Sequence, residues 1–409
     1  MDFKNKREMD LRRTEKLRQL LLRESNSVVV EKVQDGKPHW LVADGRLVNR
    51  QSDFFSIGAV VDPVGKPRFV LRQVEQALAM LLVTRNEAGV FVLLSVRSEP
   101  GLMGLTCFST TIQSTPSNYT RKHGGKATPY LDYAQHSNPE RVLHDTVQYD
   151  WGDLYEAKWK RFLVLEVEEK FEEVSGFVWV HLHLAKQLLL EDDLVTNDLR
   201  TCLALIISGL EMENGNGPSE TNVLVPRTGD ASRTDREHSA ITYQSMDELR
   251  VETNEGISYQ DGFSNAVLFF RTKASSREVP AWTQPLLRVR GDKRITLFAS
   301  TDGEQQKYAL RLVPQSGIPS TDLWAPSKPV GASPETRMVV LTSGEGGRFF
   351  RYRIFLELSV VDRQEMRDIT WPHGTVWMAH DEVQGLISQS LVTSLELRIA
   401  WSLVVASRG

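Results

Sequence analysis

Cysteine is almost absent. Cys107 and Cys202 are the only two in 409 residues, and both sit in apolar stretches. A disulfide framework and a cysteine-rich zinc site are excluded, and the composition fits a reducing compartment. Long hydrophobic runs are also missing. Leu203–Ile207 and Val267–Phe270 are among the longest and are far too short to cross a bilayer, while Met1–Glu24 is charged where a secretion signal would be apolar. The chain is therefore expected in the cytoplasm, away from membranes. Neither sign of charge dominates: 49 Lys and Arg face 53 Asp and Glu, a net charge of −4. A broadly basic nucleic-acid-binding surface does not fit that balance. The glycine fingerprints of dinucleotide and phosphate loops are lacking too. Gly344-x-Gly346 and Gly215-x-Gly217 have no third glycine at the required spacing, and there is no P-loop. Nicotinamide enzymes and ATPases are thereby disfavoured.

What is present is ordinary globular material, 41% hydrophobic and 25% charged, enough for two or three domains. Residues 1–26 read as an amphipathic helix. Strand texture follows: β-branched Ser27–Val33, then Phe54–Val61, then a hairpin of Gln76–Val83 and Val90–Val96 around Asn86-Glu87-Ala88-Gly89. Arg161–Glu169 alternates as a strand, and helices are expected over Leu184–Leu190 and Asp198–Ile207. Residues 211–244 are rich in Gly, Pro, Ser, Thr and Asn and read as a linker. It separates residues 27–210 from 245–409.

These halves share an ordered series. Val178-Trp179-Val180, Leu188-Leu189 and Leu199-Arg200 recur at constant offset as Val376-Trp377-Met378, Leu386-Ile387 and Leu397-Arg398. Leu194-Val195-Thr196 recurs as Leu391-Val392-Thr393, slipped by one. The series suggests a duplication into two similar domains.

The densest polar cluster is Thr110 to Lys126. Gly124 and Gly125 permit close backbone approach to a ligand. Arg121, Lys122 and Lys126 suit an anion such as a diphosphate. Tyr119 and His123 are candidates for proton transfer or charge stabilisation. A solvated polar loop is the bland alternative, and the functional reading is preferred because loops on rigid strands carry such groups. His181 and His183 lack a third ligand to make a metal site and read as polar residues at a strand-to-helix junction. Asp198 is either a helix cap or part of a pocket with Arg200.

Gln113-Ser114-Thr115-Pro116-Ser117-Asn118-Tyr119-Thr120, His123-Gly124-Gly125 and Tyr130-Leu131-Asp132-Tyr133 closely resemble the signature of the NDP-hexose 2,3-dehydratases of deoxysugar and antibiotic biosynthesis. Weaker similarity extends to Phe54–Gly58, Glu99-Pro100-Gly101, Trp282-Thr283-Gln284-Pro285 and Gly344–Phe350. The resemblance implies an α+β fold of two tandem Nudix-like domains, each a mixed sheet flanked by helices, in a homodimer. No Nudix box is present, which argues against a metal-dependent diphosphate hydrolase. The implied enzyme is a carbon–oxygen lyase. It removes the C2 hydroxyl of a dTDP-linked 4-keto-6-deoxyhexose without cofactor or metal. Tyr119 and His123 are its candidate catalytic groups. Arg97, Gln113, Thr115, Ser117, Asn118, Arg121, Gly125, Lys126, Tyr130, Tyr133, Arg200, Glu345 and Arg348 are its candidate substrate contacts. The second-half counterpart of the signature, near Pro314–Pro334, retains none of it. One pocket in the first half is the simplest expectation; a pocket mixed from both halves across a dimer is the other. An inactive nucleotide-sugar-binding accessory protein, or a related enzyme acting on another activated sugar, are the alternative functions.

Overall fold

The computed structural model describes residues 3–34, 39–50, 54–61, 67–122, 124–156, 158–211, 242–246, 250–253, 256–259, 265–300, 305–315, 318–331 and 336–408. It is an α+β protein built on two larger mixed sheets and two smaller ones. Most of the 211–244 linker lies outside the described residues.

The first large sheet runs Val142–Tyr149, Trp159–Val167, Ala77–Asn86, Gly89–Ser98, Phe177–His181. Its central strand, Ala77–Asn86, is buried along its first eight residues. The near-continuous apolar run Ala-Leu-Ala-Met-Leu-Leu-Val is what a strand covered on both faces requires. Trp159–Val167 lies parallel to it, and the hairpin partner Gly89–Ser98 antiparallel, turning at Asn86 and Gly89. The second large sheet runs Thr336–Ser343, Arg353–Val361, Lys293–Ser300, Lys307–Gln315, Ile318–Pro326, and Val376–Ala379 also pairs with Lys307–Gln315. Here too one pair is parallel, Arg353–Val361 with Lys293–Ser300. Each sheet is followed by a long helix, Asn197–Glu211 or Leu395–Ser407.

Those two helices pack on each other at the centre. Leu199, Leu203, Leu205, Ile399, Trp401 and Leu403 are all completely buried. At ~1.5–3 kcal/mol per large apolar side chain, this pair is a major part of the core. Both start on a hydroxyl cap: Thr196 Oγ1 accepts from the Leu199 amide at 3.2 Å, and Ser394 Oγ from the Leu397 amide at 3.2 Å. The residues before the caps are held alike. Phe108 N donates to Leu194 O and Thr196 N to Phe108 O; Trp324 N donates to Val392 O and Ser394 N to Trp324 O. Leu194 thus corresponds to Val392, so the one-residue slip read from the sequence disappears in the backbone.

The small sheets tie the halves together. Val29–Val33 pairs with Ala266–Lys273 of the second half, whereas Thr242–Gln244 pairs with Ser56–Val61 of the first. Asn265 adds a buried cross-connection. Its carboxamide accepts from Phe69 N at 2.7 Å and donates to Phe69 O at 2.8 Å. Among the described residues, no helix is long and apolar enough to cross a membrane.

Candidate functional site

The two halves meet around a cavity of about 250 Å³. Two tight loops build its floor. Glu99-Pro100-Gly101 follows the strand Gly89–Ser98, and Gly344–Arg348 follows the strand Thr336–Ser343. They are stitched by backbone hydrogen bonds: Gly101 N donates to Gly346 O at 2.9 Å, and Arg351 N to Gly101 O at 2.7 Å. A Cβ at Gly101 would stand 1.8 Å from Phe349 O, so only glycine fits. The two sequence motifs, about 245 residues apart, are two sides of one clasp.

Three guanidinium groups face the cavity. Arg97 Nε reaches Glu99 Oε1 at 2.5 Å, and its Nη1 donates to Gln113 O at 2.8 Å. Burial would lower its pKa, but Glu99 and Glu278 outweigh that and raise it. Arg277 is lowered by burial and by the neighbouring Arg97, with Glu278 and Glu99 opposing. Arg348 lies over the rings of Phe55 and Phe54, 4.1 and 4.7 Å from their centroids, and donates to Gln73 Oε1 at 3.1 Å. Amide and hydroxyl groups of Gln113, Thr115, Asn118 and Gln284 complete the polar lining, and Trp40 and Trp282 add aromatic walls.

Beneath one end lies a buried charged group. Lys158 Nζ is 2.6 Å from Glu345 Oε2 and 3.1 Å from Asp150 Oδ2. Lys160 Nζ is 3.0 Å from Asp150 Oδ2, 2.9 Å from Asp198 Oδ1 and 3.9 Å from Glu345 Oε1. Tyr155 Oη donates to Glu345 Oε2 at 2.6 Å. Burial pushes Glu345 up, yet Lys158, Lys160 and Arg348 overcome this and hold its carboxylate well below the usual range. Lys158 is lowered by burial against the pull of Asp150 and Glu345. Burial also drives Tyr155 well above an ordinary phenol, aided by Glu345 and Asp150. Of this group Lys160 and Glu345 reach the cavity wall. Among the described residues, no cluster of three or more His, Cys, Asp or Glu side chains could hold a metal ion.

Of the residues singled out in the sequence, Arg97, Gln113, Thr115, Asn118, Glu345 and Arg348 converge on the cavity. Ser117 lies behind the wall, its amide donating to Glu75 Oε2 at 3.1 Å. Tyr119 ends the short helix Pro116–Tyr119, one residue past the wall. Burial and the nearby Glu75 carboxylate push its phenol up. His123 lies outside the described residues. Arg121 and Lys126 are exposed. Gly125 and Lys126 brace the wall from behind. The Lys126 amide donates to Glu278 O at 3.0 Å, and Gly125, at φ +102°, would bring a Cβ within 2.6 Å of that oxygen. Tyr130 and Tyr133 pack with Phe171, and Tyr130 also with Phe177. Arg200 is fully buried between the central helices, donating to Leu189 O at 2.8 Å and Ser402 Oγ at 3.3 Å. His181 caps the helix Leu182–Leu188, its Nδ1 accepting from the His183 amide.

Lys158, Lys160, Asp150, Tyr155, Arg277 and Gln73 were not singled out. Lys160 lies one residue before the strand expected over Arg161–Glu169. The available signal was Lys158-x-Lys160, two charges on one face, near the otherwise apolar Phe162–Leu165.

Residues 21–206 match the family model of the NDP-hexose 2,3-dehydratases. Similarity to individual members reaches into the second half. A dTDP-4-dehydro-6-deoxy-alpha-D-glucopyranose 2,3-dehydratase of Saccharopolyspora spinosa is 29% identical over 332 residues, 70% of this chain and 68% of that protein. The enzyme of the same name from Amycolatopsis orientalis is 26% identical over 388 residues, covering 87% and 81%. That of Streptomyces violaceoruber is 28% identical over 287 residues, covering 66% and 64%.

Proposed function

We propose that this chain is a sugar-nucleotide 2,3-dehydratase, a carbon–oxygen lyase acting on a dTDP-linked 4-keto-6-deoxyhexose. The observation that carries this reading is the cavity itself. Motifs of the family signature from both halves meet there, with three guanidinium groups for a diphosphate and several amide and hydroxyl groups for a sugar. Arg97, Arg277 and Arg348 take the diphosphate; Gln113, Thr115, Asn118 and Glu345 take sugar hydroxyls.

The chemistry follows from the substrate. The C4 ketone acidifies the C3 hydrogen. A base removes that proton, and the enolate expels the C2 oxygen, which leaves as water after receiving a proton. The resulting enol tautomerises to a 3,4-diketo-2,6-dideoxyhexose. No hydride is transferred in net terms, so the balance requires no redox cofactor. Tyr119 and His123 are the proposed proton carriers. A phenol with a raised pKa stays protonated at neutral pH and suits the acid, which leaves His123 as base. The mixed pocket is completed within one chain. The finer architecture, two Nudix-like domains arisen by duplication, is supported by the like order of strands, caps and helices in the two halves. A cytoplasmic homodimer completes the reading.

The test is incubation of the purified protein with dTDP-4-keto-6-deoxyglucose, with a ketoreductase and its reductant trapping the diketone. A trapped 2,6-dideoxy sugar is expected. Unchanged substrate alongside intact dTDP binding would overturn the enzyme reading and leave an accessory binding protein.

A further inference from the structure

Lys160 differs from every other cation in the buried group. Lys158 is sealed off, with its side chain fully buried among Asp150, Glu345 and Tyr155. Lys160 lies on the wall of the 250 Å³ cavity and also on that of a second cavity of about 20 Å³ behind it. Three short contacts fix it from below, to Asp198 Oδ1 at 2.9 Å, Asp198 Oδ2 at 3.1 Å and Asp150 Oδ2 at 3.0 Å. An ammonium has three N–H groups; with both oxygens of the Asp198 carboxylate sharing one of them, one is left to turn to a ligand. The cavity's guanidinium groups are committed differently: Arg97 to Glu99 and the Gln113 carbonyl, Arg348 to two rings and Gln73.

We propose that Lys160 is the oxyanion donor of the reaction, stabilising the charge that develops on the C4 oxygen as C3 loses its proton, with Asp150 and Asp198 as positioning residues. This rests on the dehydratase reading above. A fixed ammonium in a site largely shielded from water needs no reorganisation as the charge appears, which is the basis of this kind of catalysis. The donor must stay charged. Burial opposes this, but Asp150, Asp198 and Glu345 together raise Lys160 above an ordinary lysine, with Lys158 the nearest cation in the group.

The test begins with wild-type turnover of dTDP-4-keto-6-deoxyglucose. Failure there would count against the dehydratase reading and not specifically against Lys160. Lys160→Gln is then compared with Lys160→Gln/Asp198→Asn, which removes one charge of each sign and spares the fold an uncompensated buried carboxylate. In the folded variants kcat should fall by ~10²–10³, the loss typical of one oxyanion donor. Exchange of the C3 hydrogen with D2O should fall in parallel, while dTDP binding stays near wild type. Turnover close to wild type in either folded variant overturns the proposal. Asp198→Asn alone tests positioning: kcat and exchange of the C3 hydrogen should fall together while KM stays near wild type, and an unchanged kcat overturns that role.

Discussion

Each half of the molecule places a lysine against an acidic residue in the first turn of its central helix. Lys160 meets Asp198 at 2.9 Å, and Lys293 meets Glu396 at 2.8 Å. Each pair also borrows a carboxylate from the other half: Glu345 approaches Lys160, and Asp153 lies 3.2 Å from Lys293. Carboxylates outweigh burial and raise both lysines. The surroundings then diverge. Lys160 opens onto the cavity, whereas Lys293 lies over the Trp151 ring, 4.5 Å from its centroid, and on the wall of neither cavity described. Each half holds such a pair, on non-equivalent strands: Lys160 lies opposite Ala77, while Lys293 starts the strand that takes the place of Ala77–Asn86 in the second sheet. What makes one of them a site is the glycine clasp and the guanidinium groups around it.

The sharpest way to break this comparison is to neutralise the corresponding carboxylates. Glu345→Gln should lower kcat/KM by ~10² or more, because it removes a cavity-wall acceptor and a partner of both buried lysines. Asp153→Asn should leave turnover within a few-fold of wild type, its cost appearing in denaturant unfolding. Equal kinetic losses would show that the second pair takes part in the chemistry.

A smaller effect separates Arg200 from Arg398. Burial lowers both guanidinium groups, to about 10, and both hydrogen-bond backbone carbonyls. Arg200→Ala should cost roughly 1–3 kcal/mol of stability through the unpaired Leu189 carbonyl, with KM unchanged. Arg398→Ala should cost more, since it also frees the Tyr149 carbonyl. A raised KM in a fully stable Arg200→Ala protein would restore Arg200 as a substrate contact.

The smallest effect concerns acid. Burial, with help from Arg408, lowers His380 to about 4. An unfolded histidine titrates near ~6.5. Between these values the unfolded chain holds the extra proton, so stability falls as pH drops from about 6.5 towards 4. His380→Phe should flatten that fall in denaturation midpoints taken at pH 7 and 4.5. In the first half burial also lowers His144. A greater flattening by His144→Phe would move the acid-sensitive point to that half.

The local parts of this architecture were legible in the sequence. The Ala77–Ser98 hairpin announced itself by Asn-Glu-Ala-Gly between apolar runs, and the Leu-Arg repeat marked corresponding turns of the two central helices. The Gln113–Asn118 segment was legible by residue type, and four of its members reach the cavity. The rest of the site depends on long-range packing that no window of sequence contains. Arg277 lies outside the motifs singled out, and Lys160 just before the strand expected over Arg161–Glu169. Both become site residues only when the second half closes over the first. Conversely, Arg121 and Lys126 had suitable chemistry, but their loop directs its backbone, through Lys126 N, onto Glu278.

The exchange of strands between the small sheets has a consequence for how the protein is made. Val29 emerges from the ribosome about 240 residues before its partner Lys273. At ~5–20 residues per second this is a delay of roughly 10–50 s, during which the strand's hydrogen-bonding edge has no mate. The first large sheet needs no residue beyond Phe177–His181 to assemble its strands, so it can form within that interval. The cavity cannot, because Glu345 and Arg348 are synthesised later still. Nascent chains arrested shortly after residue 211 should therefore carry a formed first sheet, an unpaired Val29–Val33 edge and no complete cavity.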